Sequence, residues 1–339
     1  MTSNASFNFR DVALVSVDAQ LAPEVVTSTQ IDEWLAPAYE RFETDGGLLE
    51  GLAGISERRW WPRDVSFTDA ASVAGRQALQ KAGVRADDIG LLIDTSVCRK
   101  HLEPSAAVAI HAELGLPASC INFDLANACL GFMNAMWLAG TMIDSGQINF
   151  ALIVDGEGSR EPIESTIARL NEPGSTIDDL FDQFATLTLG SGSAAAVIGR
   201  HSENPGSHKL VGGVARADTG HHRLCIGDLQ GMKTDTKALL NAGLQLSKET
   251  WVEAHERGWL EADRYIVHQI SAVHTSMMCD LLGLDTAKVP LTFPMFGNIG
   301  PASVPITLAG EVDTLSPGDQ VLCLGIGSGI NASVTEIIW

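Results

Sequence analysis

Two series of short, apolar, β-branched runs, each interleaved with helix-length stretches, narrow the folds open to this chain more than any other feature. The first series covers residues 12–17, 89–93, 121–125, 150–154 and 194–198; the second covers 209–214, 265–267, 289–293, 321–325 and 332–338. Strand-length runs alternating with helical pattern mark an α/β protein. The two series also match in detail. Ile121-Asn-Phe-Asp-Leu leads into the uncharged stretch 126–143, and Leu291-Thr-Phe-Pro leads into the uncharged stretch 297–308. A helix without a charged face has no side to turn to water, so each half is expected to hold a strand feeding a buried helix. Leu189-Gly-Ser-Gly-Ser-Ala-Ala-Ala-Val-Ile likewise resembles Leu324-Gly-Ile-Gly-Ser-Gly-Ile-Asn-Ala-Ser-Val, a glycine-rich turn before a last strand. These matches describe an internal duplication with halves 1–203 and 204–339, divided at the turn-rich Glu203-Asn-Pro-Gly-Ser. An acidic, helix-permissive insertion occupies about 157–187, too long for a simple connection. Two unrelated α/β domains are the alternative.

Charge and cysteine usage exclude several function classes. Lys and Arg number 22 against 42 Asp and Glu, a net charge of -20, which leaves no broad basic face for nucleic acid or anionic lipid. An anionic ligand would need a local basic pocket. The six cysteines, at 98, 120, 129, 225, 279 and 323, form no CxxC pair and read as reduced thiols in a cytoplasm. The first ten residues lack the basic-then-apolar pattern of a secretory signal. The uncharged window 125–143 carries Asn127, Gly131, Asn134 and Gly140 and reads as a buried helix, not an integral membrane segment. His221 and His222 with Cys225 have some metal-ligand character, yet a solvated surface run accounts for them, and no metal is expected.

Three residues carry chemistry by position. Cys129 falls where the 121–125 strand turns into a helix, with Asn127 available as the N-cap. Unpaired N–H groups and the helix dipole there are expected to lower the thiol pKa. The bland alternative for any cysteine is a small buried hydrophobe. His268 ends the 265–267 strand and precedes Gln269, which projects its imidazole from the carboxyl edge of a sheet, where α/β proteins place ligands. Asn298, within Phe296-Gly-Asn-Ile-Gly-Pro, occupies the turn equivalent by duplication to that of Cys129. For each polar residue alone, a satisfied turn or core hydrogen bond is the alternative. Together, thiolate, imidazole and amide suit acyl transfer: Cys attacks a thioester while His and Asn donors hold an oxyanion or enolate. Gly325-Ile-Gly-Ser-Gly lacks phosphate-cradle spacing and reads as a close-approach loop donating backbone N–H groups. No Gly-x-Ser-x-Gly elbow of a serine hydrolase is present. Cys323, just before the glycine loop, reads as core.

Asn127-Ala-Cys-Leu-Gly-Phe, His268-Gln, Gly297-Asn-Ile-Gly-Pro-Ala-Ser-Val-Pro and the closing Gly-Ile-Gly-Ser-Gly resemble the thiolase superfamily, in its ketoacyl synthase III branch, over essentially the whole chain. The resemblance implies a thiolase-like, five-layered αβαβα fold of two pseudo-equivalent halves, a homodimer, and Claisen condensation of acyl thioesters. Within that branch, Leu102-Glu-Pro-Ser-Ala, the insertion after Val154 and the closing glycine loop look most like OleA-type enzymes. These join two long-chain acyl-CoA molecules head to head into a β-keto acid for olefin or β-lactone formation. In fatty-acid-initiating synthases the position of Glu103 is usually apolar or aromatic, and the His motif has a polar, basic continuation where this chain has Ile270-Ser-Ala-Val.

The resemblance also implies roles. Cys129 is acylated, and its backbone N–H with that of Ser328 forms an oxyanion hole. His268 and Asn298 hold the enolate of the second acyl-CoA. Glu103, reaching in from the partner subunit, removes its α-proton; an acyl-CoA with no carboxylate to lose needs such a base. For Glu103 the alternative is a dimer-interface or surface carboxylate. Coenzyme A thioesters enter as substrates, no cofactor is implied, and enzymes that process β-keto acids are the implied downstream partners. A malonyl-dependent synthase III is the nearest competing function, followed by a simple acyl-CoA thioesterase and a non-catalytic acyl-binding module. A degradative thiolase would use Cys323 as second cysteine, but His268-Gln and the missing Gly-His-Pro oppose it.

Overall fold

Successive side chains of a strand point to opposite faces, and here they enter different cores. In the computed structural model, which describes residues 6–228, 230–259 and 261–339, Leu91 and Ile93 of strand Ile89–Asp94 join an inner cluster while Leu92 joins an outer one. Ile153 separates from Leu152 and Val154 in the same way, as do Ala194 and Ala196 from Ala195 and Val197. In the second half Ile266, Val321 and Cys323 face inward, and Tyr265, Val267, Leu322 and Leu324 face a third cluster. Helices Gly131–Asp144 and Ser303–Glu311 fill the inner cluster. Phe67–Ala82 and Ala106–Leu114 cover one outer face, Thr236–Glu256 and Ala272–Leu282 the other. The layers run αβαβα, and each large aliphatic side chain so buried contributes about 1.5–3 kcal/mol.

Strand order repeats from a central junction. One side reads Ala13–Leu21, Gly192–Gly199, Phe150–Glu157, Ile89–Asp94 and Ile121–Asp124; the other reads His208–Ala217, Asn331–Ile338, Gln320–Gly327 and Arg264–Val267. Each side begins with two antiparallel pairings and continues parallel. Ala13 opposite Lys209 and Leu14 opposite His208 join the two.

Residues 289–293 depart from expectation, because they form no strand. Pro290 has no N–H for a ladder and Pro294 occupies the first turn of the short helix Phe293–Phe296. The side chain of Gln269 takes the place of a neighbouring strand. Its Oε1 accepts from Thr292 N at 2.9 Å and Phe293 N at 3.2 Å, and its Nε2 donates to Pro290 O and Val267 O, each at 3.1 Å.

The helix Gly131–Asp144, uncharged up to its last residue, has 14 residues, so it spans about 21 Å. No helix among the described residues is long and apolar enough to cross a membrane. Residues 1–5 of the N-terminal stretch that lacks a signal pattern lie outside the described residues. Between Glu157 and Gly192 stand helices Arg160–Leu170 and Ile177–Leu187, which build a separate cluster with Ser28–Phe42 and Phe293. Thr176 starts the second of them through a capping box with Asp179.

Candidate active site

Cys129 sits on a tight turn. Strand Ile121–Asp124 ends with Leu125 N donating to Asp94 O at 2.8 Å. Ala128 then takes φ +44°, a left-handed conformation that costs a residue with a side chain about 1–3 kcal/mol. The helix begins at Gly131, without a side-chain cap. Asn127 therefore does not cap it, contrary to the sequence expectation. Its Nδ2 donates to Asn134 Oδ1 at 2.6 Å and its Oδ1 accepts from Asn331 Nδ2 at 3.3 Å, which ties the turn to the helix and to the other half.

The glycine loops explain the duplicated motif, since each backs a turn of the opposite half, at Cys129 in one and at Asn298 in the other. A Cβ on Gly327 would stand 3.3 Å from Cys129 N, and one on Gly325 would stand 2.3 Å from Leu130 Cδ2. Ser328 follows directly and is half-buried. In the other half, a Cβ on Gly190 would fall 1.7 Å from Phe296 O. Gly190 N donates to Asn298 O, and Asn298 N to Thr188 O, both at 2.9 Å. The Asn298 side chain is oriented as well: Oδ1 accepts from Gly300 N at 3.0 Å, which leaves its NH2 group to donate outward.

His268 follows strand Arg264–Val267 and is 2% exposed, its N donating to Leu324 O at 2.8 Å. It lines a narrow recess with Gly325, Ile326, Thr250 and Trp251. Burial, with His274 nearby, pushes its pKa down to about 3. The ring is thus a neutral donor throughout the working range. Its NMR resonances are expected to stay flat between about pH 5 and 8; a midpoint near the ordinary histidine value would contradict a neutral donor.

The thiol of Cys129 departs from expectation. Burial pushes its pKa up to about 12, with Cys225, Glu157 and Asp155 acting in the same direction. Desolvation and buried carboxylates outweigh the helix start, so the resting group is a thiol.

Those carboxylates were not singled out in the sequence. Asp155 and Glu157 lie two residues apart at the carboxyl end of one strand, so they share a face. Burial holds Asp155 well above the ordinary carboxylate range and raises Glu157 to about 7. Asp94, at the end of the adjacent strand, is also raised by burial to about 7. The Asp-Gly-Glu ending of an otherwise apolar run was the available signal.

Glu103 is exposed on the loop joining strand Ile89–Asp94 to helix Ala106–Leu114, beside Leu102 at 93% exposure. Within one chain the structure does not bury it at the Cys129 turn. His221 Nδ1 pairs with Asp218 Oδ2 and His222 Nδ1 with Thr219 O, each at 2.9 Å. Cys225 accepts from Thr234 Oγ1 at 3.4 Å, and Cys323 is buried in the inner core.

Residues 123–218 match the family model of 3-oxoacyl-[acyl-carrier-protein] synthase III, and residues 253–339 match the model of its C-terminal part. The chain is 42% identical to the acyl-CoA:acyl-CoA alkyltransferase of Xanthomonas campestris, over 98% of this chain and 99% of that protein. It is 35% identical to the enzyme of the same name from Shewanella oneidensis, over 97% and 99%. A solved cysteine-to-serine variant of Xanthomonas campestris OleA, with bound lauric acid and lauroyl-CoA, superposes with a TM-score of 0.96 at 41% identity, covering 98% of this chain and 100% of that one.

Proposed function

Because the chain belongs to the acyl-CoA:acyl-CoA alkyltransferase family of thiolase-like condensing enzymes, we infer that it joins two long-chain acyl-CoA molecules head to head, without decarboxylation, into a 2-alkyl-3-keto acid. One observation supports this at the level of the site: the Cys129 and Asn298 turns are each backed by the glycine loop of the opposite half. A nucleophile and an enolate donor are thereby both seated at the interface of the halves.

In this mechanism Cys129 sulfur attacks the first thioester, the carbon–sulfur bond to CoA breaks, and CoA leaves with the proton. The N–H groups of Cys129 and Ser328 hold the oxyanion. The second acyl-CoA gives its α-proton to Glu103 of the partner subunit while His268 and the Asn298 amide stabilise the enolate. The α-carbon attacks the Cys129 thioester, which frees the thiolate and yields a β-ketoacyl-CoA. Hydrolysis releases the second CoA and the keto acid. Only coenzyme A thioesters and water are consumed, and no cofactor is required.

A homodimer follows from the role of Glu103. The apolar side chains Val97, Leu102, Val108 and Ile121 are exposed on the loop, helix and edge strand that flank it, a surface suited to a second copy. The six free thiols suit a cytoplasmic protein, and the β-keto acid would pass to enzymes that process it toward an olefin or β-lactone.

The test is mass spectrometry of products formed from lauroyl-CoA alone. The expected result is a 2-alkyl-3-keto acid, or the ketone left by its decarboxylation, with no malonyl donor. Release of lauric acid and CoA alone would mark a thioesterase. Strict dependence on a malonyl-carrier protein would mark a synthase III.

A further inference from the structure

Glu103 rides on a loop whose two roots are each held by a buried or half-buried carboxylate. At the far root, Asp124 accepts from Ala106 N at 3.0 Å and Ala107 N at 2.9 Å, and lies 3.6 Å from Arg99. At the near root, Glu157 Oε1 accepts from Val97 N at 2.6 Å and Oε2 from Cys98 N at 3.3 Å. Further bonds lace the same segment to the Glu157 strand: Thr95 Oγ1 donates to Asp155 Oδ2 at 2.6 Å, and Gly156 N donates to Ser96 Oγ at 2.8 Å. Glu157 is itself confined. It is 6% exposed, and a Cβ on Gly300 would stand 3.7 Å from its carboxyl carbon, so the Asn298 turn walls its other side.

We propose that Glu157 is a positioning residue for carbon–carbon bond formation, whose carboxylate orders the 95–105 loop through Val97 and Cys98 and so aims Glu103 at the partner's site. This rests on the condensing role given above for Glu103. A carboxylate is needed for geometric reasons. Two converging N–H groups require an acceptor at each oxygen, and an amide offers only one, turning a donor toward the other N–H. Burial prevents water from replacing the lost acceptor, so the root loosens. Cys129 lies outside that loop, and its acylation does not depend on Glu103.

The experiment compares wild type, Glu157→Gln, Glu157→Asp, Glu103→Ala and the double variant Glu103→Ala with Glu157→Gln, each incubated with lauroyl-CoA. Glu157→Gln is expected to lower condensation at least roughly tenfold without lowering the acyl-enzyme burst, because removing a charge that raises the Cys129 thiol pKa favours the thiolate. Glu157→Asp retains both acceptor oxygens and is expected to recover part of the rate. In the Glu103→Ala background, Glu157→Gln is expected to change condensation by less than about twofold, because the base it aims is already gone. Hydrogen exchange of the 95–105 peptide supplies a readout independent of product and is expected to accelerate at least tenfold in Glu157→Gln. Unchanged exchange overturns the proposal, as does a burst that falls as far as condensation or a further tenfold loss in the double variant. If Glu157→Gln does not fold, Glu157→Asp decides by the same exchange and burst comparison. A wild-type protein that makes no keto acid would instead refute the condensing function, while the exchange result would still judge the loop.

Discussion

Cys129→Ala is expected to abolish both the acyl-enzyme and the condensed product, a loss on the order of 10⁶ in kcat if the nucleophile acts as one unit with its donors. The other thiols are poor substitutes. Cys323 is 2% exposed and faces the inner core, and Cys98 donates its S–H to Gly158 O at 3.2 Å. Cys129 alone combines a helix start free of a side-chain cap with a glycine loop against its own N–H. Its elevated thiol pKa adds a requirement: the thiolate has to form as the first acyl-CoA reacts, since the resting site stores almost none. The measurement is intact-protein mass after incubation with lauroyl-CoA, followed by peptide mapping. An adduct on the Cys129 peptide in wild type and none in Cys129→Ala is the expected pair. Acylation of Cys225 or Cys323 with Cys129 bare would overturn the assignment.

Much of the architecture was legible because its determinants are local. A strand buried on both faces must be apolar throughout, and a helix between two sheets has no charged side; both conditions are visible in 150–154, 194–198 and 126–143 without tertiary information. Residues 289–293, apolar except for Thr292, still form no strand. What decides there is a side chain, Gln269, that supplies the acceptor and donor a neighbouring strand would have given.

The site was legible in its turns and illegible in its electrostatics. Strand-to-helix position marks Cys129 and Asn298, and the repeated glycine loop marks their supports. That each loop serves the opposite half emerges only when the two halves pack together. Asn127 had the residue type of a cap, but Asn134 and Asn331 claim its side chain. The upward shift of the Cys129 thiol comes first from its burial, with Cys225, Glu157 and Asp155 adding to it, and none of these is local in sequence. The role of Glu103 came from family resemblance, because an exposed loop glutamate carries no local signature of a base.

Glu103→Ala is expected to separate the two halves of the reaction. If Glu103 acts on the second acyl-CoA, it has no part in the attack by Cys129, so the burst of CoA and the acyl-enzyme should remain. Condensation should fall roughly 10²–10⁴-fold, the range for losing a general base, while slow hydrolytic release of CoA persists. Glu103→Asp should recover part of the rate if carboxylate reach is limiting. The exposure of Glu103 in a single chain makes the partner subunit part of this prediction. A mixed dimer of the two impaired variants, one subunit Cys129→Ala and the other Glu103→Ala, should regain up to one working site, because a site that keeps Cys129 then borrows Glu103 from its neighbour. Burst CoA and keto product, read on the same samples, settle the outcome. Loss of the burst in Glu103→Ala would assign the residue to the Cys129 turn or to dimer integrity, and two unchanged signals would require a different base.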